Sequence, residues 1–385
     1  MINVKRYRIF LAVGEHPLYN NLINFPPQNA IFINYLKRRL TTSKLSVYEK
    51  RKNIIRKIVT KFTSSLRIPR MFYFKTDAEL IHSSRGIIPL NKIPWVMDIE
   101  HAKSFFDDHR VLLSNYAKNI VRKFLLSEYC KKIMPHCYMA QKSLISAFGK
   151  DLNDKMQVVY PAILSRKLKV RHNSSQVRLL FVANKFFEKG GKEVLESFVF
   201  LTRKYDIELT LKCNVPTEFK KKFGKYNNLK IIEENLPYET LFNEIYSKSN
   251  IFIFPTYIDT FGFSLLESMS VGLPIVTTNI FAIPEIVEDG KNGFLIEARK
   301  YDWAADNGLM KVEFLFDPKK RMSMYRLNKP EIVRQLVKKI SLLIEDSSLR
   351  KRMGREGKKL VEKGKFSIKE RNKKLREIYE ESTRI

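Results

Sequence analysis

Cysteine is scarce in this chain. The three present among 385 residues, Cys130, Cys137 and Cys213, are odd in number, and no two of them stand two residues apart. That spacing excludes a zinc clip and a redox dithiol, and a reducing compartment is the simplest reading. The six histidines never form H-E-x-x-H and no D-x-D occurs, so no protein-held catalytic metal is expected. Long apolar runs are missing too: nothing approaches the roughly 18 residues that a bilayer-crossing helix needs. The opening MINVKRYRIFLAVGEHP has a basic start, but its apolar run covers only Ile9 to Val13 and no small-residue cleavage site follows. It reads as a first strand rather than a leader. Carboxylates are the last shortage, with 40 Asp and Glu against 71 Lys and Arg, a formal charge of +31.

What is present points to a folded protein. A hydrophobic share of 44% with 12% aromatics is too rich for a disordered basic tail, so the positive charge belongs on a folded surface. Such a surface attracts polyanions: nucleic acid, an anionic membrane face or phosphorylated small substrates. The length suits two domains of ordinary size.

Short apolar runs recur at 8–13, 71–74, 95–99 and 156–160, and a second series follows at 178–183, 207–213, 229–233, 251–254 and 274–278. Helical stretches separate them. Strands alternating with helices predict parallel sheets covered on both faces, hence an α/β protein, and two series predict two sheets. The polar stretch 161–176 reads as the linker, with the boundary near residue 170. The expected division is therefore 1–170, 171–365 and a closing helix over 366–385 that packs back on the first domain. The irregular piece at 299–330 has no assigned role.

The chemistry concentrates in FPTYIDTFGFSLLESMSVGLPIVTT, from Phe254 to Thr278. A strand ends at Pro255, a loop carries Asp259 and Gly262, and a helix starts near Phe263 with Glu267 in its first turns. A helix start exposes unpaired N–H groups and about half a positive charge, which suits a phosphate, and Gly262 lets backbone approach closely. Asp259 and Glu267 flank that seat as acceptors for sugar or ribose hydroxyls; a carboxylate at such a place also serves as a plain helix cap. At the first turn of the same domain, RLLFVA leads into NKFFEKGG, where Lys189 beside Gly190 and Gly191 would reach a diphosphate. Neither a Walker loop nor G-x-G-x-x-G is present, and Lys-Gly-Gly also fits a solvated turn.

The succession FVANKFFEKGG, then LPYETLFNEIYSKSNIFIFPTYIDTFGFSLLESMSVGLPIVTT, then IPEIVEDGKNGFLI resembles the C-terminal half of the family 4, or group 1, glycosyltransferases. The resemblance implies a GT-B fold: two Rossmann-like domains with parallel sheets facing across a central cleft, the C-terminal one holding a nucleotide-sugar donor. That family's two glutamates separated by seven residues correspond to Asp259 and Glu267, the first shortened by one methylene. By resemblance Asp259 holds a donor-sugar hydroxyl, Gly262, Phe263 and Ser264 offer backbone to sugar or phosphate, Glu267 binds the ribose and Lys189 the diphosphate. Where the family supplies a second basic residue, this chain has Lys185. The N-terminal half matches only in outline: His101, beside Glu100, falls where relatives keep a histidine near the reacting sugar, so Asp259, Lys189 and His101 are the catalytic candidates. A retaining, metal-independent transfer without a cofactor is implied.

The charge is densest from Lys37 to Lys75, where Ile54, Ile55, Ile58, Val59 and Phe62 form a stripe flanked by Arg51, Lys52, Arg56, Lys57 and Lys61. This is the pattern of a helix lying in an anionic lipid interface, each cation contributing roughly 1 kcal/mol there, and equally that of a helix packed on its own domain. The expectation is a cytoplasmic transferase, peripheral on the inner membrane face, whose acceptor is a lipid-linked saccharide or another glycan. Two rivals stand beside it: a basic nucleic-acid-binding protein, for which no recognition signature is found, and a degenerate protein that binds a nucleotide sugar without turnover.

Overall fold

The computed structural model describes residues 5–13, 17–35, 68–166, 176–312, 314 and 317–384. Most of the basic stretch at 37–75, and the boundary expected near residue 170, lie outside them. The chain forms two compact units. The first comprises Met1–Ala162, Asp306–Met310 and Ile368–Ile385; the second comprises Ile163–Ala305 and Lys311–Ser367.

The first unit is built on a five-stranded sheet of β1 (Tyr7–Ala12), β2 (Ala30–Phe32), β4 (Leu80–Ser84), β6 (Trp95–Ile99) and β7 (Cys130–Pro135), in the order β2-β1-β4-β6-β7. Every pairing in it is parallel. A short pair, β3 (Met71–Phe72) with β5 (Ile88–Pro89), stands apart. All five residues of β6 are buried, as a central parallel strand requires. The Asn115–Leu126 helix starts on Ser114, whose hydroxyl accepts from Ala117 N, and buries Ala117, Val121 and Leu125, four residues apart on one face. Cys137 caps the next helix, Tyr138–Phe148, through its sulfur. The run at 156–160 is not a strand; among the described residues it makes one isolated bridge, Ile133 to Met156.

Strands β4 and β6 carry His82 and Asp98 into the core, and His136 follows just after β7. Asp98 accepts from Tyr19 Oη at 2.7 Å, and His82 Nε2 and His136 Nε2 lie 3.0 and 3.3 Å from its carboxylate oxygens. His82 Nδ1 meets the hydroxyl of Tyr379, on the closing Ile368–Thr383 helix, at 2.6 Å. Burial alone would raise Asp98, but the hydrogen bonds and charges of the two histidines outweigh it and hold the carboxyl well below its usual range.

The second unit has a six-stranded sheet of β8 (Val177–Val182), β9 (Ile207–Lys212), β10 (Leu229–Ile232), β11 (Ile251–Phe254), β12 (Ile275–Thr278) and β13 (Gly293–Ile296). Its order is β10-β9-β8-β11-β12-β13, parallel throughout. This is the doubly wound arrangement in which the strand order reverses between β8 and β11, so a crevice opens at the carboxyl ends of those two strands. The Pro330–Glu345 helix packs along the Gly191–Leu201 helix. There Lys329 and Glu193, both fully buried, form an ion pair at 3.1 Å. The 299–330 piece gains a role: its Asp306–Met310 portion belongs to the first unit, and Trp303, fully buried, belongs to the second.

Asp98 is the charged centre of the first core, so Asp98→Asn should cost about 2–4 kcal/mol at pH 7. A depressed carboxyl contributes stability that is complete above its ordinary pKa of about 4 and is lost as pH falls through the folded value. The difference between wild type and variant in urea titrations should therefore narrow below about pH 4.

Candidate functional site

At the crevice the loop after β8 and the loop after β11 lean on one another. Gly190 makes this possible. Its φ is +77°, and a Cβ there would stand 2.3 Å from the carbonyl oxygen of Pro255, so any side chain would push the two loops apart. Tyr257 N donates to Glu188 O at 2.9 Å and ties them again. Lys189 Nζ then reaches Asp259 Oδ2 at 2.8 Å and donates to Ile258 O, with the Phe254 ring centroid 5.5 Å away. Both charged side chains are mostly buried, so neither is a freely solvated surface group.

Asp259 is fixed at two further points. Its Oδ1 accepts from Phe261 N at 3.1 Å, the local turn that aspartate favours, and its carbonyl accepts from Trp303 Nε1 at 3.2 Å. Gly262 follows at φ +93° and starts the Phe263–Val271 helix without a side-chain cap. The first turn of that helix faces an open cavity of about 440 Å³, lined among others by Asn184, Lys189, Lys212, Asp259, Phe263 and Ser264. A site of this kind combines a cation, a carboxylate and a helix N-terminus around a space large enough for a nucleotide.

Four of the expected site residues thus meet at one cavity: Lys189, Asp259, Phe263 and Ser264. Gly262 sets the turn behind them. The other three go elsewhere. Lys185 is exposed and pairs with Glu188 at 2.9 Å, and it does not line the cavity. Glu267 does not line it either; Tyr246 Oη donates to its Oε2 at 2.9 Å, and the Tyr238 hydroxyl also bonds to it. Burial pushes the Glu267 carboxyl up to about 7, against the opposing pull of the two tyrosines and Arg166.

His101 lies in the first unit and is fully buried. Its Nδ1 accepts from Lys103 N at 3.0 Å, and its Nε2 lies 2.7 Å from Gly308 O. Both nitrogens are satisfied in one neutral tautomer, with Nε2–H as donor. Burial, then the charge of Lys103, hold the ring well below its usual pKa. The structure places this expected catalytic candidate where its ring anchors the Asp306–Met310 portion. Trp303, Tyr246, Lys212 and Asn214 were not singled out from the sequence, because nothing in their local pattern announces a site. Among the described residues no group of three or more His, Cys, Asp and Glu is placed to hold a metal ion.

Residues 166–326 match the family described as glycosyl transferases group 1. This part of the second unit is similar to the group 1 glycosyltransferases. The capsular polysaccharide biosynthesis glycosyltransferase CapM of Staphylococcus aureus is 24% identical over 252 residues, 63% of this chain and 57% of that protein. The chain thus spans little more than half of that curated relative. Among solved structures, HepE of Anabaena in complex with UDP and glucose matches with a TM-score of 0.61 at 13% identity, covering 97% of this chain and all of that one. WaaG, a glycosyltransferase involved in lipopolysaccharide biosynthesis, matches with a TM-score of 0.54 at 13% identity, covering 96% and 97%. These likenesses place the fold in the GT-B class.

A carboxyl raised in the folded state stabilises below its unfolded pKa of about 4.5, an advantage lost as pH rises through about 7. Glu267→Gln should therefore raise the melting temperature at pH 8, by the equivalent of about 1–3 kcal/mol, and leave it nearly unchanged at pH 4. Scanning calorimetry at the two pH values measures this.

Proposed function

We propose that this chain is a retaining group 1 glycosyltransferase that moves a sugar from a nucleotide-sugar donor to a lipid-linked saccharide or another glycan. The observation that carries the reading is the Lys189–Asp259 pair on the wall of the crevice cavity, beside the start of the Phe263–Val271 helix. In the transfer the bond between the anomeric carbon and the diphosphate oxygen breaks, and its electron pair leaves with the diphosphate. The acceptor hydroxyl oxygen bonds to the same face of that carbon, and its proton passes to a leaving phosphate oxygen. Negative charge therefore grows where Lys189 and the helix N–H groups lie, and they bind the transition state more strongly than the ground state. Asp259, held at three points, orients a hydroxyl of the donor sugar.

The relatives support the choice of acceptor by what their names state, capsular polysaccharide for one and lipopolysaccharide for another. The excess of 31 positive charges supports a peripheral seat on an anionic membrane at the cytoplasmic face. Among the described residues no helix is long and apolar enough to cross a bilayer.

A thermal-shift screen of UDP-, GDP- and ADP-sugars should give a saturable rise with one of them. With that donor, Lys189→Met should lower kcat/KM by about 100-fold or more. No shift with any donor would remove the proposal. The membrane seat is checked by co-sedimentation: the purified chain should pellet with vesicles rich in phosphatidylglycerol at low salt and be released as salt is raised.

A further inference from the structure

Pairing of charges leaves one cation over at the crevice cavity. Its charged lining residues are Lys189, Lys212, Glu233 and Asp259. Lys189 is paired with Asp259 at 2.8 Å. Glu233 is paired with Lys220 at 2.8 Å and accepts from Val215 N at 2.9 Å, and these partners hold it below its usual pKa. Lys212 is left over: it forms no ion pair among the described residues, although the cavity wall beside it is otherwise neutralised.

Its position follows from the strand that carries it. In β9 the side chains of Ile207, Leu209 and Leu211 are buried in the core, while Glu208, Thr210 and Lys212 project to the other, less buried face. Lys212 is the last residue of β9, opposite Val182 of β8 and Ile232 of β10, at the carboxyl edge where ligands bind in this class of sheet. Its carbonyl accepts from Ala183 N at 3.0 Å, so the start of the loop that leads to Lys189 is tied to it. Lys185, the second cation expected from the sequence, is exposed and bound to Glu188.

We propose that Lys212 is the second cation of the donor cavity and that it binds the anionic diphosphate portion of the donor. This deepens the donor-site reading above and rests on it. An uncompensated ammonium on a wall already closed by paired charges attracts an incoming anion without first giving up a partner, whereas Lys189 must share itself with Asp259.

The test is calorimetric titration of the purified chain with UDP, GDP and ADP, and with uridine, guanosine and adenosine as competitors. For the nucleoside diphosphate that wild type binds, Lys212→Gln should raise Kd by about tenfold, consistent with one lost charge-assisted hydrogen bond. Lys212→Arg should restore most of it, the matching nucleoside should bind both variants as it binds wild type, and Lys351→Gln, at an exposed helix position, should change nothing. Equal loss for nucleoside and diphosphate would overturn the assignment by placing Lys212 at the base or ribose. So would an unchanged Kd in Lys212→Gln, or the same loss in Lys185→Gln instead. If wild type binds none of the three diphosphates, the donor-site reading itself falls and the assignment with it.

Discussion

The second unit is organised around an ion pair that brings two loops of opposite origin to one point. Lys189 comes from the turn after β8 and Asp259 from the turn after β11, seventy residues later, and the two strands are neighbours only because the sheet order reverses between them. The pair is expensive to desolvate and is retained because the surroundings hold both partners in place: the carbonyl of Ile258 for Lys189, the amide of Phe261 and the indole of Trp303 for Asp259. A glycine at 190 is a condition of this contact rather than an ornament, since the carbonyl of Pro255 occupies the space a Cβ would need.

Buried polar groups recur at each structural junction of the chain. Lys329 and Glu193 join the Gly191–Leu201 and Pro330–Glu345 helices, and the Lys329 ammonium lies 4.5 Å from the ring centroid of Tyr257. Glu267 is clasped by Tyr246 and Tyr238. In the first unit Asp98 collects Tyr19, His82 and His136, and through His82 holds Tyr379 of the closing helix. Each cluster satisfies its members from segments far apart in the chain, which specifies the packing more narrowly than apolar contact alone. His101 belongs to the same category: its ring is a buried fastener for the backbone at Gly308.

Much of this was legible beforehand. Ile251–Phe254 is apolar throughout and Ile275–Thr278 is β-branched throughout; both became fully buried strands, and Gly272 and Pro274 ended the helix between them. The loop carrying Asp259 and Gly262 was legible for the same reason: turn residues and a helix start lie within a few positions of one another. Strands Leu80–Ser84 and Cys130–Pro135 were not, because His82, two serines and two lysines disguise them; their burial depends on partners such as Asp98 and Tyr379 that no local window contains. The run at 156–160 had the apolar pattern of a strand but only one bridge partner among the described residues.

The order of residues along the chain was sufficient to establish the α/β class, the parallel sheets and the likeness of the second half to the group 1 glycosyltransferases, since all of these rest on short-range periodicity and turn chemistry. Tertiary structure alone decided which charges share a cavity. It turned Lys185 outward, set Glu267 against tyrosines, buried His101 and brought Lys212 to the wall. The physical reason is that an ionisable side chain takes its role from the partners and the solvent around it, and in a doubly wound sheet those partners come from strands that are adjacent in space and remote in sequence.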